Sequence, residues 1–309
     1  MKKKNFKNIA GLTLIEILVG VVVASVMVTA MYTSYNVVNN SYSKVTDRAS
    51  ISRSGRDVIE MLMRDIRMAG FKYTLGTNAL GFPTRTPLEF KAGNTTINES
   101  HDAIIIEKGD DALGFSLDGT DAVPAKNDDS DTCCDRIHIV YDDFNQNDPI
   151  QPYKRYKVTY YALPMSETGR VVDDERYAVY KTLQSWRQPL DSDSGEWISD
   201  CTECYVAQKI RDHIVDMEFM PLDEKGKILN PLPRPGSDTE ARLNLYKIKA
   251  VVARITFRSK NPFYRFNATE KTARLVQPLG SVTQKFFDKF LRDSIIVTIY
   301  TRNIGSSGV

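Results

Sequence analysis

Apolar residues run along this chain in two rhythms. Over residues 12–31 they are nearly continuous, broken by small or hydroxylated residues and by one carboxylate, Glu16. Further on they become one-sided: Ile51, Gly55, Val58, Leu62, Ile66 and Ala69 recur every three or four positions, while Arg48, Arg53, Arg56, Asp57, Glu60, Arg64 and Arg67 fill the other faces. That recurrence is the signature of an amphipathic helix, and no proline interrupts residues 12–69. The pattern predicts one long helix, about 85 Å if straight at 1.5 Å per residue, with Gly70 as its C-cap. Its first half is apolar all round and its second half lays a stripe on a globular domain.

After residue 70 the period shortens to two. β-Branched and aromatic runs predict strands over 103–107, 136–141, 154–163, 177–183, 214–220, 248–258 and 294–301. In Ile137-His138-Ile139-Val140-Tyr141 and Tyr156-Lys157-Val158-Thr159-Tyr160-Tyr161 one face reads apolar and the other mixed, as in an antiparallel sheet wetted on one side. Asp223-Glu224-Lys225-Gly226-Lys227 reads as a turn. Polar, proline-bearing stretches at 109–130 and 230–240 read as surface loops suited to partners. The expected fold class is α+β: a long N-terminal helix, its first half transmembrane, packed on an antiparallel β-sheet head.

The all-apolar run is about 20 residues, enough to cross the roughly 30 Å core of a bilayer and longer than the apolar stretch of a secretory signal peptide. Lys2, Lys3, Lys4 and Lys7 precede it, which places the leader in the cytoplasm and the rest outside. A single-pass anchor needs only this much. It does not account for Glu16, whose charge near hydrocarbon costs about 2.5 to 3.5 kcal/mol even on the lenient insertion scale, and which therefore asks for a partner charge.

The hexapeptide Gly11-Leu12-Thr13-Leu14-Ile15-Glu16 resembles the class III signal of type IV pilins and type II secretion pseudopilins. The resemblance implies cleavage after Gly11 by a prepilin peptidase and N-methylation of Leu12, where the family usually has Phe. It also implies pairing of Glu16 with the freed N-terminal amine of a neighbouring subunit. Arg64-Asp65-Ile66-Arg67-Met68-Ala69-Gly70-Phe71 reads as a helix end with alternating surface charges. It also resembles the stretch that closes the long helix in PilW-type minor pilins, and 309 residues suit that longer class. The implied organisation is a leader over 1–11, a membrane and fibre-core helix over 12–31, the periplasmic half of the helix over 32–70 and a β-rich head over 71–309. The implied role is a minor pilin that primes type IV pilus assembly or sits at its tip. Its partners would be other minor pilins, the major pilin, the prepilin peptidase, an inner-membrane assembly platform and a tip adhesin. It would reside in the inner membrane with a periplasmic domain before assembly and at the cell surface after it, serving adhesion and motility.

Composition narrows the rest. Lys plus Arg number 41 against 39 for Asp plus Glu, so no global field recruits nucleic acid. About 240 residues follow the helix, enough for a real core. The four cysteines fall in two couples, Cys133-Cys134 and Cys201-x-x-Cys204; outside the cytoplasm these read as disulfides. Either the couples cross-link to each other or only Cys201 and Cys204 close locally, with a four-thiolate zinc site as a sharper alternative. Asp142, Asp143, Asn145, Asn147 and Asp148 offer oxygen donors of the kind calcium takes, but Asp148 and Lys154 stand where an EF-hand needs Gly and Glu. A second acidic cluster, Asp128, Asp129, Asp131 and Asp135, has no recognised spacing, and the bland reading of both is a solvated turn. No cofactor is expected. His101, His138 and His213 have no nucleophile elbow, Walker loop or zinc-binding helix beside them, so no enzyme is expected. Two alternatives stay open: a J-type pseudopilin of a type II secretion system, or a DNA-binding or adhesin module on a pilin helix. The basic and aromatic run Arg254, Arg258, Lys260, Phe263, Tyr264, Arg265, Phe266, Lys271 and Arg274 is the feature that favours the latter.

Overall fold

The structure is a computed structural model. It describes residues 13–71, 90–92, 95–97, 102–108, 114–115, 122–123, 134–144, 153–167, 170–171, 176–187, 196–230, 232–233, 245, 247–264, 266–267, 269, 272–276, 279 and 284–304. The chain falls into two units, Met1–Ala49 and Ser50–Val309, with the boundary inside the helix.

Helix α1, Leu14–Met68, is continuous for 55 residues. In the first unit its apolar side chains are exposed, Leu14 at 81%, and its most apolar 18 residues have a mean hydropathy of 2.4. Hydroxyls in this stretch are satisfied by the helix itself: Ser25 donates to the Val22 carbonyl at 2.8 Å and Thr29 to that of Ser25 at 2.8 Å. Such a segment carries no unmet side-chain donor there into an apolar solvent.

In the second unit the predicted stripe is the buried face. Ile51, Val58, Leu62, Ile66 and Ala69 belong to one core with residues of the sheet, each large aliphatic contributing on the order of 1.5 to 3 kcal/mol when fully buried. Gly55 lets the stripe lie close to the sheet: an added Cβ would run into Ile295 Cδ1 and lie 3.0 Å from Phe257 Cε2, so those side chains would have to shift. The helix ends at Gly70, whose φ of 73° is the left-handed conformation that a C-terminal glycine supplies. Its N–H donates to the Val140 carbonyl at 2.9 Å, and the Phe71 carbonyl accepts from Asp142 N–H at 2.8 Å, so the helix terminus is clipped to a strand.

The large sheet contains β1 (Ile104–Glu107), β2 (Arg136–Phe144), β3 (Tyr153–Pro164), β4 (Tyr177–Arg187), β5 (Glu196–Ile198), β6 (Tyr205–Leu222), β7 (Ala250–Arg258) and β8 (Arg292–Tyr300). All pairings are antiparallel, in the order β8-β7-β6-β4-β3-β2-β1, with β5 also on β4. Every predicted strand is present, and β6 begins nine residues earlier than its apolar run because its first half is amphipathic and less buried. A bulge at Asp212 and His213 bends it: Tyr177 pairs Ile214 while Val179 pairs Arg211, and His213 takes a φ of 62°. The 223–227 turn forms as expected, with Asp223 Oδ1 accepting from the N–H groups of Lys225 and Lys227 and Gly226 at φ 75°.

Two expectations are corrected. The sheet is not wetted along one whole face: Val140, Thr159 and Tyr161, on the side away from the core, are buried, and nearly all of β7 is. A second small core of Val215, Val276 and Phe286 covers part of the face away from the helix, using a short hairpin, Arg274–Val276 with Gln284–Phe286. The stretch at 109–130 is not loop throughout, since Gly114–Phe115 pairs with Ala122–Val123.

Candidate functional site

The helix start is built by a reciprocal cap. Thr13 N–H and Thr13 Oγ1 both donate to Glu16 Oε2 at 2.9 Å, and Thr13 Oγ1 receives Glu16 N–H at 3.4 Å. This is the Thr-x-x-Glu capping box, whose signal is the Thr13 and Glu16 spacing itself. Its donors are neutral. Among the described residues no cation pairs with Glu16, and Thr13 orients the carboxylate without compensating its charge. Gly11 and Leu12, the expected cleavage and methylation positions, lie outside the described residues.

A second carboxylate on the same helix meets a different fate. Asp65 is buried, not one of the surface charges that the alternation at residues 64–67 suggested. It continues the stripe, three residues after Leu62 and four before Ala69, and that spacing was the missed signal. Tyr160 on β3 donates its hydroxyl to Asp65 Oδ2 at 2.5 Å, and Lys181 on β4 pairs with the same oxygen at 2.7 Å. Burial first, and the Asp65 charge second, hold the Tyr160 and Tyr141 hydroxyls far above the ordinary phenol range, so both stay protonated. The arrangement stitches the helix to two strands through one carboxylate.

The opposite face of the sheet is held by a separate network. Arg254 is fully buried; it pairs with Asp216 and, through Nε at 3.0 Å, with Glu218. Glu218 also accepts from Leu279 N–H at 2.6 Å. Burial outweighs the arginine at Asp216 and pushes its carboxyl up to about 6. Arg258, also buried, stacks on Phe290 at 3.7 Å, and Arg274 on Tyr264 at 3.8 Å. The basic and aromatic run is thus not one exposed patch, because its first two arginines are structural; Arg265 and Lys271 lie outside the described residues.

The cysteine couples do not cross-link. Cys201 and Cys204 are bonded to each other, closing the turn that returns the chain from β5 to β6 along one edge of β4. Cys134 is disulfide-bonded too, which corrects both the crosswise pairing and the expectation that only the second couple closes; Cys133 lies outside the described residues. Asp142, offered as a calcium ligand, is 1% exposed and gripped by Arg155 at 2.7 and 3.2 Å. Asp143 is exposed on the same strand, while Asn145, Asn147 and Asp148 lie outside the described residues, as do Asp128, Asp129 and Asp131. Asp135 is buried, accepting Phe219 N–H at 2.7 Å and pairing with Lys108. His138 bonds Thr159 Oγ1 at 2.8 Å, and burial pulls its pKa down; His101 lies outside the described residues.

Beside β5, Lys157 lies over the Trp197 ring at 4.9 Å, and burial, against the pull of Glu107, lowers its ammonium to about 8.

No family model matches the chain, and no curated protein sequence matches it. Among solved structures it is similar to a type IV-like pilin from Thermus thermophilus, at 10% identity over 82% of this chain and 98% of that one, with a TM-score of 0.39. That superposition is too loose to carry function across.

Proposed function

We propose that the chain is a minor subunit of a type IV pilin-like fibre, anchored by α1, processed after Gly11 and incorporated through its helix. The observation that carries the reading is Glu16. A carboxylate in the first turn of a lipid-length apolar helix, held by neutral donors and meeting no cation among the described residues, is stabilised where another molecule brings a positive charge. A neighbour's freed terminal amine is such a charge, and the Gly11-Leu12 junction is where processing would create it. Within the second unit, the second half of α1 docks on the sheet by its stripe and by Asp65. A head of this size hinders close regular stacking and fits a priming complex or a tip, as in PilW-type subunits.

The test is processing. In cells with an active prepilin peptidase the mature protein is expected to begin at Leu12, N-methylated, by intact-mass analysis; retention of the first eleven residues sinks the fibre reading and leaves a plain tether.

A further inference from the structure

The two ends of the sheet differ in what they offer. At the β1 end the strand is four residues long, and its surroundings are fastened to β6: Lys108 Nζ donates to the Phe219 carbonyl at 2.6 Å, and Asp135 N–H donates to the Met217 carbonyl at 2.7 Å. Shortness, a lysine and a covering strand are the usual ways of blunting an edge. Among the described residues the β8 end has none of them. It runs nine residues and pairs in unbroken register with β7.

The hydrogen-bond phase of that pairing fixes which main-chain groups are spare. Thr301 N–H donates to the Lys249 carbonyl at 2.9 Å at one end, and Ser259 N–H to the Leu291 carbonyl at 2.8 Å at the other. In an antiparallel ladder alternate residues bond the same neighbour, so 293, 295, 297 and 299 turn their N–H and C=O groups toward β7. Ser294, Ile296, Thr298 and Tyr300 turn theirs outward, and among the described residues nothing meets them. The segment Ser294-Ile295-Ile296-Val297-Thr298-Ile299-Tyr300 holds no Lys, Pro or Gly, and Ile296 and Tyr300 are 57% and 71% exposed. Beyond its C-terminal end, Tyr300 and Thr301 line a cleft of 560 Å³ with Lys249 and the Asp223–Gly226 turn, which gives an added chain room to leave the sheet.

We propose that β8 receives an extended segment of a different subunit of the same assembly as an additional strand, its main chain meeting the four outward residues and its β-branched or aromatic side chains covering Ile296 and Tyr300. The choice of occupant rests on the fibre reading. Joining β8 to β8 of a second copy needs a two-fold axis, which subunits pointing one way along a fibre do not have. The β1 edge of a second copy is closed by its ties to β6.

Two substitutions separate this from a merely structural role. Ile296→Pro removes an outward N–H that β7 does not use, whereas Val297→Pro removes one that it does. In the full-length chain in detergent, Ile296→Pro is expected to shift the melting midpoint by less than about 3 °C and Val297→Pro by clearly more. In cells, Ile296→Pro is expected to lower recovery of the chain in sheared fibres about tenfold or more; wild-type recovery overturns the proposal. Independently of any variant, the amides of Ile296, Thr298 and Tyr300 are expected to exchange freely in detergent and to slow about 100-fold in wild-type fibres. Equal exchange overturns the added strand while leaving fibre membership intact, and a Thr298→Cys chain that cross-links to itself there overturns the choice of occupant. Absence of the wild-type chain from fibres overturns both readings.

Discussion

Glu16 and Asp65 pose one physical problem at two places on one helix: a carboxylate on an apolar face. At Asp65 the fold solves it, because β3 and β4 bring Tyr160 and Lys181 to the same oxygen. At Glu16 the described residues supply only the neutral cap of Thr13. The lesson is that an acid on an apolar stripe does not by itself mean assembly. What distinguishes the two is that among the described residues a cation, Lys181, reaches Asp65 and none reaches Glu16.

The largest effect expected from breaking this comparison is at Glu16. Glu16→Val should leave membrane insertion and the melting midpoint of the detergent-solubilised chain unchanged, yet abolish recovery in sheared fibres; normal incorporation would show that the charge has no assembly role. Next comes Asp65→Ala, which leaves Lys181 partly buried without its counter-ion and should cost about 3 kcal/mol in urea unfolding. Tyr160→Phe removes one bond to a charged acceptor and should cost about 1.5 to 3 kcal/mol by the same measurement. Neither is expected to alter processing after Gly11.

The smallest effect concerns a half-buried charge, that of Lys157. Lys157 titrates at about 8 in the fold and near 10.4 in an unfolded chain. Between those values the unfolded chain binds the extra proton, so this lysine's contribution to stability rises with pH from about 8 to about 10.4 and is most unfavourable at neutral pH. Lys157→Met should therefore raise the melting midpoint slightly at pH 7, with the gain gone above about pH 10.4. A gain that persists at high pH would mean that packing, not charge, limits the site.

Much of the fold is legible in the residues, and for local reasons. The six-residue stripe from Ile51 to Ala69 became the buried face as read, because helix periodicity depends on the chain alone. The seven main strands follow from β-branched runs for the same reason. The acidic and basic residues are less legible. The local pattern around Asp65, Asp142 and Arg254 points to surface or ligand roles, and each is buried against a counter-charge 13 to 116 positions away. Nothing in the local spacing of a charged residue reports that distant partner.

By itself the sequence determined the helix and its two characters, the strands, the 223–227 turn and the anomalous acid at Glu16, since all of these follow from short-range periodicity, turn chemistry and the cost of charge in lipid. Tertiary structure alone decided that Asp65 is a stitch between helix and sheet, that Cys201 closes on Cys204, that Arg254 is interior and that β8 ends the strand order of the sheet. Those outcomes depend on which strands become neighbours and in what register, and pairing over such separations is settled only when the whole sheet closes around its core.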